Sequence, residues 1–589
     1  MAEPILASNG TWFTQGGTTV TRADITEIEI MDSYTPDSSV TVTDSWDASA
    51  ALNGSVMCYV IGTKLIIAGN GSGKVFLNEE SRDTFGSYTN NADAFVNVTT
   101  FTNATLLDPS KCINIWRIFG NMRSVKSIDV SGWNMKNATS IGQIFADCRA
   151  MTTVNVSGWK FPKAIMANNL FGSCRALEEI DLSTWELRNM SNLSSLFYYC
   201  ESLKNIKWGI VDTSSCTNMS YMFHMCFGLE TVDVSVLNTS SVTDMSYMFG
   251  SCTSLKTLNL SNFDFSKVQS IEGMFFTGPS DTSSLETLIL PENFKLPVVA
   301  SRSFEGAVKL KGFNVSDWET SACTNMSFMF YDCSSLKEID VSNWDVSKVT
   351  NFDHFAAHAN LKRKGIENWK TTSATNMNAL FHNCAEEELD LSGWDVSKNQ
   401  FFCQMFENSP NLKRIKGLEK WNTSAGLGFD GMFERCSKLE EVDLSSFDTT
   451  KAKNGTSASA NGHTTATLSN MFLSCNNLKK VKVGPNFAIN GDGSNTTAAN
   501  KAILPTPSTT YIEGADGNWY NFIGESFAPN GMKDKTAETY YASYDIVADM
   551  DVVVKNGSLI DTAKAIREKN GTTNKYAPAE FGTAIRALT

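Results

Sequence analysis

A phenylalanine recurs at a fixed interval along most of the chain, and this recurrence limits the possible folds more than any other feature. The first seven are each 26 residues apart: Phe119, Phe145, Phe171, Phe197, Phe223, Phe249 and Phe275. The series continues, with steps of 25 to 29 residues and a longer last step, at Phe304, Phe330, Phe355, Phe381, Phe406, Phe433 and Phe472. A short fixed period is the signature of repeat proteins, in which no unit can bury its apolar side alone and neighbours must stack.

A second column of large residues has the same period and a fixed offset from the first. Its members are mainly tryptophan: Trp133, Trp159, Trp185, Leu237, Phe263, Trp318, Trp344, Trp369, Trp394, Trp421 and Phe447. Because both columns keep one register, the sequence predicts about 14 stacked units of ~26 residues with aromatic ladders inside.

One well-formed unit, residues 324–344, indicates the structure within each repeat. Met326, Met329, Phe330 and Cys333 recur at three- and four-residue spacing, which predicts a short helical turn with one buried side and a Ser or Thr cap. Residues 339–341 alternate apolar, polar and apolar, which predicts a short strand. The expected fold class is therefore an α/β repeat solenoid in which each unit contributes a short parallel strand and a helical turn.

The recurring blocks Met-Phe-x-x-Cys-x-x-Leu and Asp-Val-Ser-x-Trp, as at 329–336 and 340–344, carry a family resemblance. Over residues 111–487 the chain resembles the BspA-type leucine-rich repeat of bacterial surface proteins, seen also in mycoplasmas, gut bacteria and some parasites. The resemblance implies a scaffold for adhesion or recognition that has no catalytic function.

Sequence flanking the repeats differs in composition, and it divides the chain into five predicted segments. A hairpin pattern at 56–67 predicts a capping role for its segment, and a loop at 451–466 is expected to be an insertion in one repeat. The segments are an N-terminal β segment or attachment arm (1–45), a β-rich cap (46–110), the leucine-rich-repeat solenoid (111–487), a β-type closing cap (488–550) and a small helical module (551–589).

Both ends of the chain carry short resemblances of another kind. Residues 559–581, and also 32–36 and 45–49, are similar to modules of phage and prophage structural proteins. This similarity implies a virion protein such as a tail fibre, a receptor-binding fibre or a capsid-decorating fibre, made in the host cytoplasm and placed on the virion surface. The implied partners are other virion proteins at a terminal module and a host surface protein or glycan, with a homotrimer possible.

Two alternatives come from other classes of protein. The first is a BspA-like adhesin on a bacterial cell surface, which would need a signal or an anchor, and residues 1–6 show no secretory signal. The second is an enzyme that uses the repeats as a binding arm. With only five histidines and no nucleophile–base pattern in the flanks, no catalytic residue and no cofactor are expected.

Charge and hydropathy exclude further classes. The formal net charge is −14 and the basic residues are scattered, so a phosphate-tracking stripe for nucleic acid is not expected. No apolar run approaches the ~20 residues that cross a bilayer, so insertion into a membrane is not expected.

Two motifs invite a chemical interpretation that their context disfavours. Residues 69–74 (Gly-Asn-Gly-Ser-Gly-Lys) lack the spacing of a phosphate-binding loop and are predicted to be a turn between strands. His354 and His358 have the spacing of two metal ligands on a helix, but they are assigned to the repeat positions of Met329 and Cys333, with no carboxylate to complete a site. We expect no metal.

Most of the 14 cysteines recur in phase with the repeat. Nine lie three residues after the phenylalanine: Cys148, Cys174, Cys200, Cys226, Cys252, Cys333, Cys384, Cys436 and Cys475. Cys216 and Cys323 mark a second repeated position. Neighbouring cysteines could come within disulfide range, but cysteine is also a common small buried residue, and free buried thiols are favoured.

The outward-facing residue of each predicted strand forms a polar strip. We call it the strand strip; it consists of Asp129, Asn155, Asp181, Lys207, Asp233, Asn259, Asn314, Asp340, Asp390 and Asp443. It is the candidate surface for a protein or glycan ligand. The alternative is a solvated face whose Asp and Asn side chains bond nearby backbone, and Lys207, Trp208 or the insertion loop would then discriminate between partners.

Overall fold

Two compact units make up the computed structural model, and each is described by itself. One comprises residues 1–323 and 329–336, and the other 324–328 and 337–589. The described residues are 2–8, 11–14, 19–87, 94–188, 190–278, 283–312, 314–453, 458–460, 463–465, 468–489, 502–521, 525–529 and 537–543. The predicted helical module at 551–589 lies outside them, as does the phage-like stretch at 559–581.

The first unit begins with a five-stranded sheet. Its strands are β1 (Glu27–Met31), β2 (Asp44–Asp47), β3 (Met57–Ile61), β4 (Lys64–Ala68) and β6 (Thr100–Thr102), in the order β2-β3-β4-β1-β6. The predicted hairpin is the antiparallel pair β3–β4, and β1 runs parallel to both β4 and β6. The segments predicted as arm (1–45) and cap (46–110) therefore contribute to one sheet.

Short elements complete this end of the first unit. β5 (Val75–Phe76) pairs in parallel with β7 (Leu107–Asp108), and 3-10 helices span Thr11–Phe13, Arg22–Asp24 and Ala104–Leu106. Trp46 is buried, and its indole N–H donates to the Trp12 carbonyl oxygen at 2.7 Å. This part of the phage-like stretch at 45–49 therefore belongs to the core of the sheet.

Repeats of the first unit follow, and most of them contribute strands of two or three residues. These are β8 (Ser127–Asp129), β9 (Thr153–Asn155), β10 (Glu179–Asp181), β11 (Glu186–Leu187), β12 (Asn205–Lys207), β13 (Ile210–Val211), β14 (Thr257–Asn259) and β15 (Thr287–Ile289). They pair in parallel one repeat apart, as Ile128 does with Val154. The middle residue of a three-residue strand faces inward and its neighbours face solvent, as the alternating pattern predicts.

The second unit continues the same pattern. Its strands are β16 (Glu338–Asp340), β17 (Lys362–Lys364), β18 (Glu388–Asp390), β19 (Arg414–Lys416), β20 (Glu441–Leu444), β21 (Ala458–Ala460), β22 (His463–Thr465), β23 (Lys480–Val483), β24 (Trp519–Tyr520), β25 (Ser526–Phe527) and β26 (Glu538–Tyr541). Among the described residues of this unit, the helices are α1 (Thr450–Lys453) and two 3-10 turns, Ile366–Asn368 and Leu418–Lys420.

A mixed sheet and an inserted hairpin characterise the end of the second unit. The sheet has the order β20-β23-β26-β24-β25, so sequence after the last repeat pairs directly with repeat strands. The antiparallel pair β21–β22 lies within residues 451–466, where the sequence predicts an insertion.

The segment around each phenylalanine is a series of turns and not the predicted helical turn. Phe328 and Asp332, two residues before and after Phe330, have φ values of +56° and +58° in the left-handed region. A continuous right-handed helix cannot contain such residues. The same two positions are left-handed in most repeats, for example at Gln143 and Asp147.

Hydrogen bonding between repeats explains this departure from a helix. The N–H groups of Ile141, Gln143, Phe145 and Asp147 donate to carbonyl oxygens of the next repeat at 2.7 to 3.0 Å. In a helix the same groups would donate to carbonyls four residues earlier. The apolar spacing identified the buried side correctly but did not show where the backbone bonds are made.

The phenylalanines stack as predicted within each unit. Phe119 and Phe145 have ring centroids 5.7 Å apart and planes 8° apart, and Phe406 and Phe433 are 5.4 Å and 3° apart. At these centroid distances near-parallel rings are offset stacks, a favourable arrangement. The tryptophans also stack, with Trp159 and Trp185 5.2 Å apart.

One member of the predicted phenylalanine series is wrong. The left-handed residues of its repeat are His354 and His358, so Ala356 and not Phe355 takes the central position. Phe355 takes the position of Met329 and packs edge-on against Trp369, with ring centroids 5.7 Å apart. The sequence does not reveal this shift of one position, because Phe355 lies among other apolar residues and fits the spacing of the phenylalanine series.

Candidate recognition surfaces

The strand strip of Asp and Asn residues forms the turns that end the strands. In nine of its ten members the side-chain Oδ1 accepts the backbone N–H of the residue two positions later, as at Asp181 with Ser183 (2.9 Å). The others are Asp129, Asn155, Asp233, Asn259, Asn314, Asp340, Asp390 and Asp443. This arrangement explains why Asp and Asn alternate freely, because either side chain supplies the acceptor.

Some members of the strand strip also form ion pairs with a lysine one repeat away. Lys207, its only basic member, lies 3.3 Å from Asp181, and Lys364 lies 2.6 Å from Asp340. The bonds from Lys364 and Ser342 lower the pKa of Asp340 to about 2. Bonds from Ser235 lower the pKa of Asp233. The strip stays a predicted ligand surface, but its regularity follows from turn formation and charge pairing.

Lys and Glu residues beside the strand strip form similar ion pairs between adjacent repeats. Lys204 and Glu178 are 2.9 Å apart, and Lys256 and Glu230 are 2.7 Å apart. Exposed pairs of this kind contribute little to stability, because solvent screens them. Trp208, predicted as a possible discriminating residue, donates its indole N–H to the Asp233 carbonyl oxygen at 3.1 Å.

Eight of the cysteines that follow the phenylalanines are buried thiols that donate a hydrogen bond to a backbone carbonyl. All 14 cysteines are buried and lie outside any disulfide, as predicted. The Cys226 thiol donates to the Phe197 carbonyl oxygen at 3.2 Å, and the Cys333 thiol donates to the Phe304 carbonyl at 3.0 Å. Ser409 holds the same position in another repeat and bonds the Phe381 carbonyl at 2.9 Å.

Burial also controls the chemistry of these thiols. It raises the pKa of Cys252 and Cys475 to about 12, so that they stay protonated. A protonated thiol is a donor and a poor nucleophile. The cysteine column is therefore part of the packing between repeats.

Variable side chains lie on the turns around the phenylalanine column. In four successive repeats of the first unit these positions carry Tyr198, Tyr199, Tyr221, His224, Tyr247 and Phe276. We call this set the aromatic turn face. Sequence periodicity did not identify it, because its members fall at three different positions of the repeat, and a column-by-column comparison outside the buried positions would have found it.

Three histidines lie on the turns of the second unit. The ring of His354 stacks on Phe328, with centroids 4.7 Å apart, and its Nδ1 lies 2.7 Å from Asp353 Oδ1. The rings of His358 and His382 are 4.4 Å apart. The predicted correspondence of His354 and His358 to Met329 and Cys333 is wrong, since the backbone places them with Phe328 and Asp332.

Burial and neighbouring charge disfavour protonation of one member of this group, His382. Burial, with the charges of His358 and His354, lowers the pKa of His382 to about 4. Within the residues that the structure describes, no cluster of three or more His, Cys, Asp or Glu side chains is arranged to hold a metal ion.

The Gly-rich sequence at 69–74 forms a turn after β4, as predicted. Gly71 and Gly73 have φ values of +85° and +90°, which favour glycine. The N–H of Gly71 bonds the Asp32 carbonyl oxygen at 2.9 Å. A backbone N–H group that a phosphate-binding loop would offer to its ligand is thus bonded to Asp32 instead.

A protein-family comparison covers most of the repeat region. The family described as "Mycoplasma protein of unknown function, DUF285" matches residues 89–209, 204–287, 299–415 and 375–482, about two thirds of the chain. The chain belongs to this family. Overlapping DUF285 matches within one chain agree with the tandem repeats, and the match does not include the phage-like ends at 32–36, 45–49 and 559–581.

Comparisons with individual proteins add little to the family assignment. No curated protein matches. A crystal structure of a leucine rich cell surface protein from Faecalibacterium prausnitzii aligns with 14% identity and a TM-score of 0.24, covering 80% of this chain and 97% of that one. The Toll–Spatzle complex of Drosophila aligns with 12% identity and a TM-score of 0.19, covering 80% of this chain and 58% of that one. Neither TM-score establishes a shared fold.

Among the helices of the described ranges, none has the length and apolar character to cross a bilayer.

Proposed function

We propose that the protein is a non-catalytic binding protein of a bacterial cell surface, with a repeat surface that contacts a protein or glycan outside the cell. Its framework supports this proposal. The same backbone bonds, stacked rings and buried donors recur from repeat to repeat within each unit, while the outward side chains differ. The turn positions of Gln143, Asn169 and Tyr221, for example, share one backbone conformation and present different chemistry. A constant framework with variable exposed positions is suited to recognition.

The cellular location is tested by labelling intact cells of the producing bacterium with a membrane-impermeant biotin reagent. We expect the protein to be labelled before lysis, whereas a cytoplasmic enzyme in the same cells serves as the unlabelled control. A second measurement compares the adhesion of wild-type cells and a deletion strain to protein- or glycan-coated surfaces. Labelling that appears only after lysis, or adhesion that is unchanged by the deletion, contradicts the proposal.

The contribution of the strand strip is tested by changing its charge and keeping its turns. Asp129→Asn, Asp181→Asn and Asp233→Asn in one variant preserve the Oδ1 acceptor that Asn155 and Asn259 already supply. We expect this variant to keep the thermal stability of the wild type within a few degrees. If adhesion is unchanged in this variant, the negative charges of Asp129, Asp181 and Asp233 are not needed for ligand binding.

A more specific candidate is a phage virion protein made in the host cytoplasm, with a terminal module bound to other virion proteins and a trimeric assembly. The short similarities at 559–581, 32–36 and 45–49 favour it, and neither the family match nor the two structures support it. Mass spectrometry of purified particles separates the two locations, because a virion protein must be present in them at a stoichiometric level.

A further inference from the structure

The aromatic turn face forms a continuous series of ring contacts across adjacent repeats of the first unit. The rings of Tyr221 and Tyr247 stack with centroids 5.1 Å apart and planes 9° apart. Tyr198 stacks on His224 at 5.7 Å, and Tyr247 meets Phe276 edge-on at 5.9 Å. Tyr221 is 36% exposed, and the other tyrosines and Phe276 are half-buried. His224 is buried, and the tyrosines and Phe276 therefore form the part of this surface that solvent reaches.

Stacking of the repeats does not require these aromatic residues. The equivalent positions two repeats earlier carry Gln143, Ala146 and Asp147, and the same backbone bonds form there. Tyr221 and Tyr247 have φ values of +58° and +55°, a conformation that is unfavourable for bulky side chains. The sequence thus places large rings where small or amide side chains serve the fold better.

Glycines of the following repeats make room for the rings. A Cβ atom at Gly273 would lie 2.3 Å from a ring carbon of Tyr247, and a Cβ at Gly250 would lie 2.6 Å from His224 Nδ1. The aromatic turn face is therefore accommodated by its neighbours, and the rings have fixed positions.

The chemistry of this surface favours one class of ligand. Tyr221 and Tyr247 cover one face of each other, and Tyr198 and His224 do the same. A sugar binds by lying on an open aromatic face, and this stacking reduces the face that is open to it. The Arg175 guanidinium already lies 4.2 Å from the centre of the Tyr199 ring and 3.1 Å from Glu201. The surface thus accepts a guanidinium by cation–π contact with a carboxylate beside it.

Acidic groups continue along the same surface. Burial raises the pKa of Tyr221, and the charges of Glu272 and Asp244 raise it further. Burial and Glu272 raise the pKa of Tyr247 to about 12 against the opposing charge of Arg302, which is itself paired with Glu305 at 2.8 Å, so both hydroxyls stay protonated and able to donate. Tyrosine hydroxyls, ring edges and carboxylates together match a partner that combines cationic, apolar and backbone acceptor groups.

We propose that the aromatic turn face is the docking surface for a polypeptide segment that carries arginine or lysine among apolar side chains. This inference deepens the proposed function and rests on it, since it assigns the ligand class and the contact residues. It places the main contact on the turns of the repeats around Phe197, Phe223, Phe249 and Phe275, and not on the strand strip.

The test measures binding of the full-length protein to a fluorescein-labelled peptide of alternating Arg and Leu by fluorescence anisotropy. A peptide of alternating Asp and Leu and a labelled cello-oligosaccharide serve as comparison probes. The key variant combines Tyr221→Ala with Tyr247→Ala. Its matched control combines Gln143→Ala with Asn169→Ala, which changes the same repeat position elsewhere.

We expect the Arg–Leu peptide to bind and the tyrosine variant to weaken it about tenfold or more, as loss of central aromatic contacts does. The control variant should bind as the wild type does, and Glu272→Gln should weaken binding and reduce its salt dependence. Tyr221→Phe with Tyr247→Phe keeps the stacked rings and should weaken binding several-fold, which provides a readout if the alanine variant does not fold.

Three outcomes overturn the proposal: no binding of the Arg–Leu peptide, equal loss in the control variant, or tyrosine-dependent binding of the oligosaccharide instead. Failure of the cell-surface labelling is distinguishable, because peptide binding by the purified protein does not depend on where the protein is displayed.

Discussion

At the scale of single residues, the least expected feature is a buried ion pair in the second unit. Arg363 is the middle residue of β17, in register with Ile339 of β16, and its side chain is 1% exposed. It forms a two-bond pair with Glu386, Nε to Oε1 at 3.1 Å and Nη2 to Oε2 at 2.9 Å. Burial alone would raise the pKa of Glu386, but the charge and bonds of Arg363 bring it below its ordinary value.

Replacing both partners should be far less harmful than replacing one. Arg363→Ile alone leaves the Glu386 carboxylate buried without its cation, which we expect to cost about 3–5 kcal/mol of unfolding free energy. The double variant Arg363→Ile with Glu386→Leu places apolar residues, as in other repeats, at both positions. Its unfolding free energy should equal that of the wild type or exceed it by about 1–4 kcal/mol.

Urea unfolding of the wild type, both single variants and the double variant gives the coupling energy of the pair. The matched exposed pair is Lys413 with Glu387, at 2.8 Å, for which the same cycle should yield a much smaller coupling energy than for the buried pair. A double variant as unstable as Arg363→Ile would show that the ion pair is required for the packing of this repeat.

The sequence was sufficient to predict the residues that recur in the repeats. It was not sufficient to predict the role of a residue that stands in one repeat in place of the usual one. The stacked phenylalanines, the tryptophans and the free thiols follow from identity and spacing alone. Arg363 stands between two lysines and has the pattern of an exposed strand, so only its contact with Glu386 reveals that it is buried. The one-residue shift that places Ala356 in the phenylalanine column could not be predicted for a related reason, because Phe355 beside it satisfies the same apolar pattern.

At the scale of elements, strands and turns differ in how well the sequence predicts them. Residues 339–341 alternate in polarity, which predicts a strand, and β16 spans Glu338–Asp340, so the pattern located the strand to within one residue because side-chain direction alone determines it. The turns share apolar spacing with a helix, but their N–H groups bond the next repeat, and spacing carries no information about hydrogen-bond partners. The tyrosines of the aromatic turn face were likewise missed, because an exposed ring has no periodic signature.

His382, on a turn of the second unit, should make that unit sensitive to acid. His382 has its pKa lowered to about 4, whereas an unfolded chain binds the proton at the ordinary value of 6.5. Between these values the unfolded state binds more protons, so stability is present above about pH 6.5 and is lost as the pH falls toward 4. The contribution of His382 is at most about 3 kcal/mol.

Urea unfolding at about pH 7 and about pH 4.5 measures this loss. His382→Gln, which cannot take up the proton, should remove part of the difference between the two pH values. The control Asn408→Gln lies on a turn of the next repeat and should leave the difference as in the wild type. If His382→Gln retains the full wild-type difference, His382 is not the group responsible.

At the scale of the whole molecule, the repeat register makes the chain tolerant of changes by whole units. Ser140 and Met166 occupy equivalent bridge positions, and both pair in parallel with the next member of their series. Deleting residues 141–166 would join Ser140 to Ala167 and place Phe171 after Phe119 in the column. Cys174 would then face the Phe119 carbonyl oxygen, which Cys148 bonds now at 3.2 Å.

We expect the whole-repeat deletion to remain folded and to unfold cooperatively, because it removes one repeat and one interface and recreates every column. Its Tm should fall by a few degrees. The matched control deletes half a repeat, residues 141–153, and joins a turn position to a strand position, so the columns no longer align. We expect this control to be insoluble or to lose much of its far-UV circular dichroism. If both deletions destabilise the protein equally, the contacts of individual repeats, and not their common register, maintain the first unit.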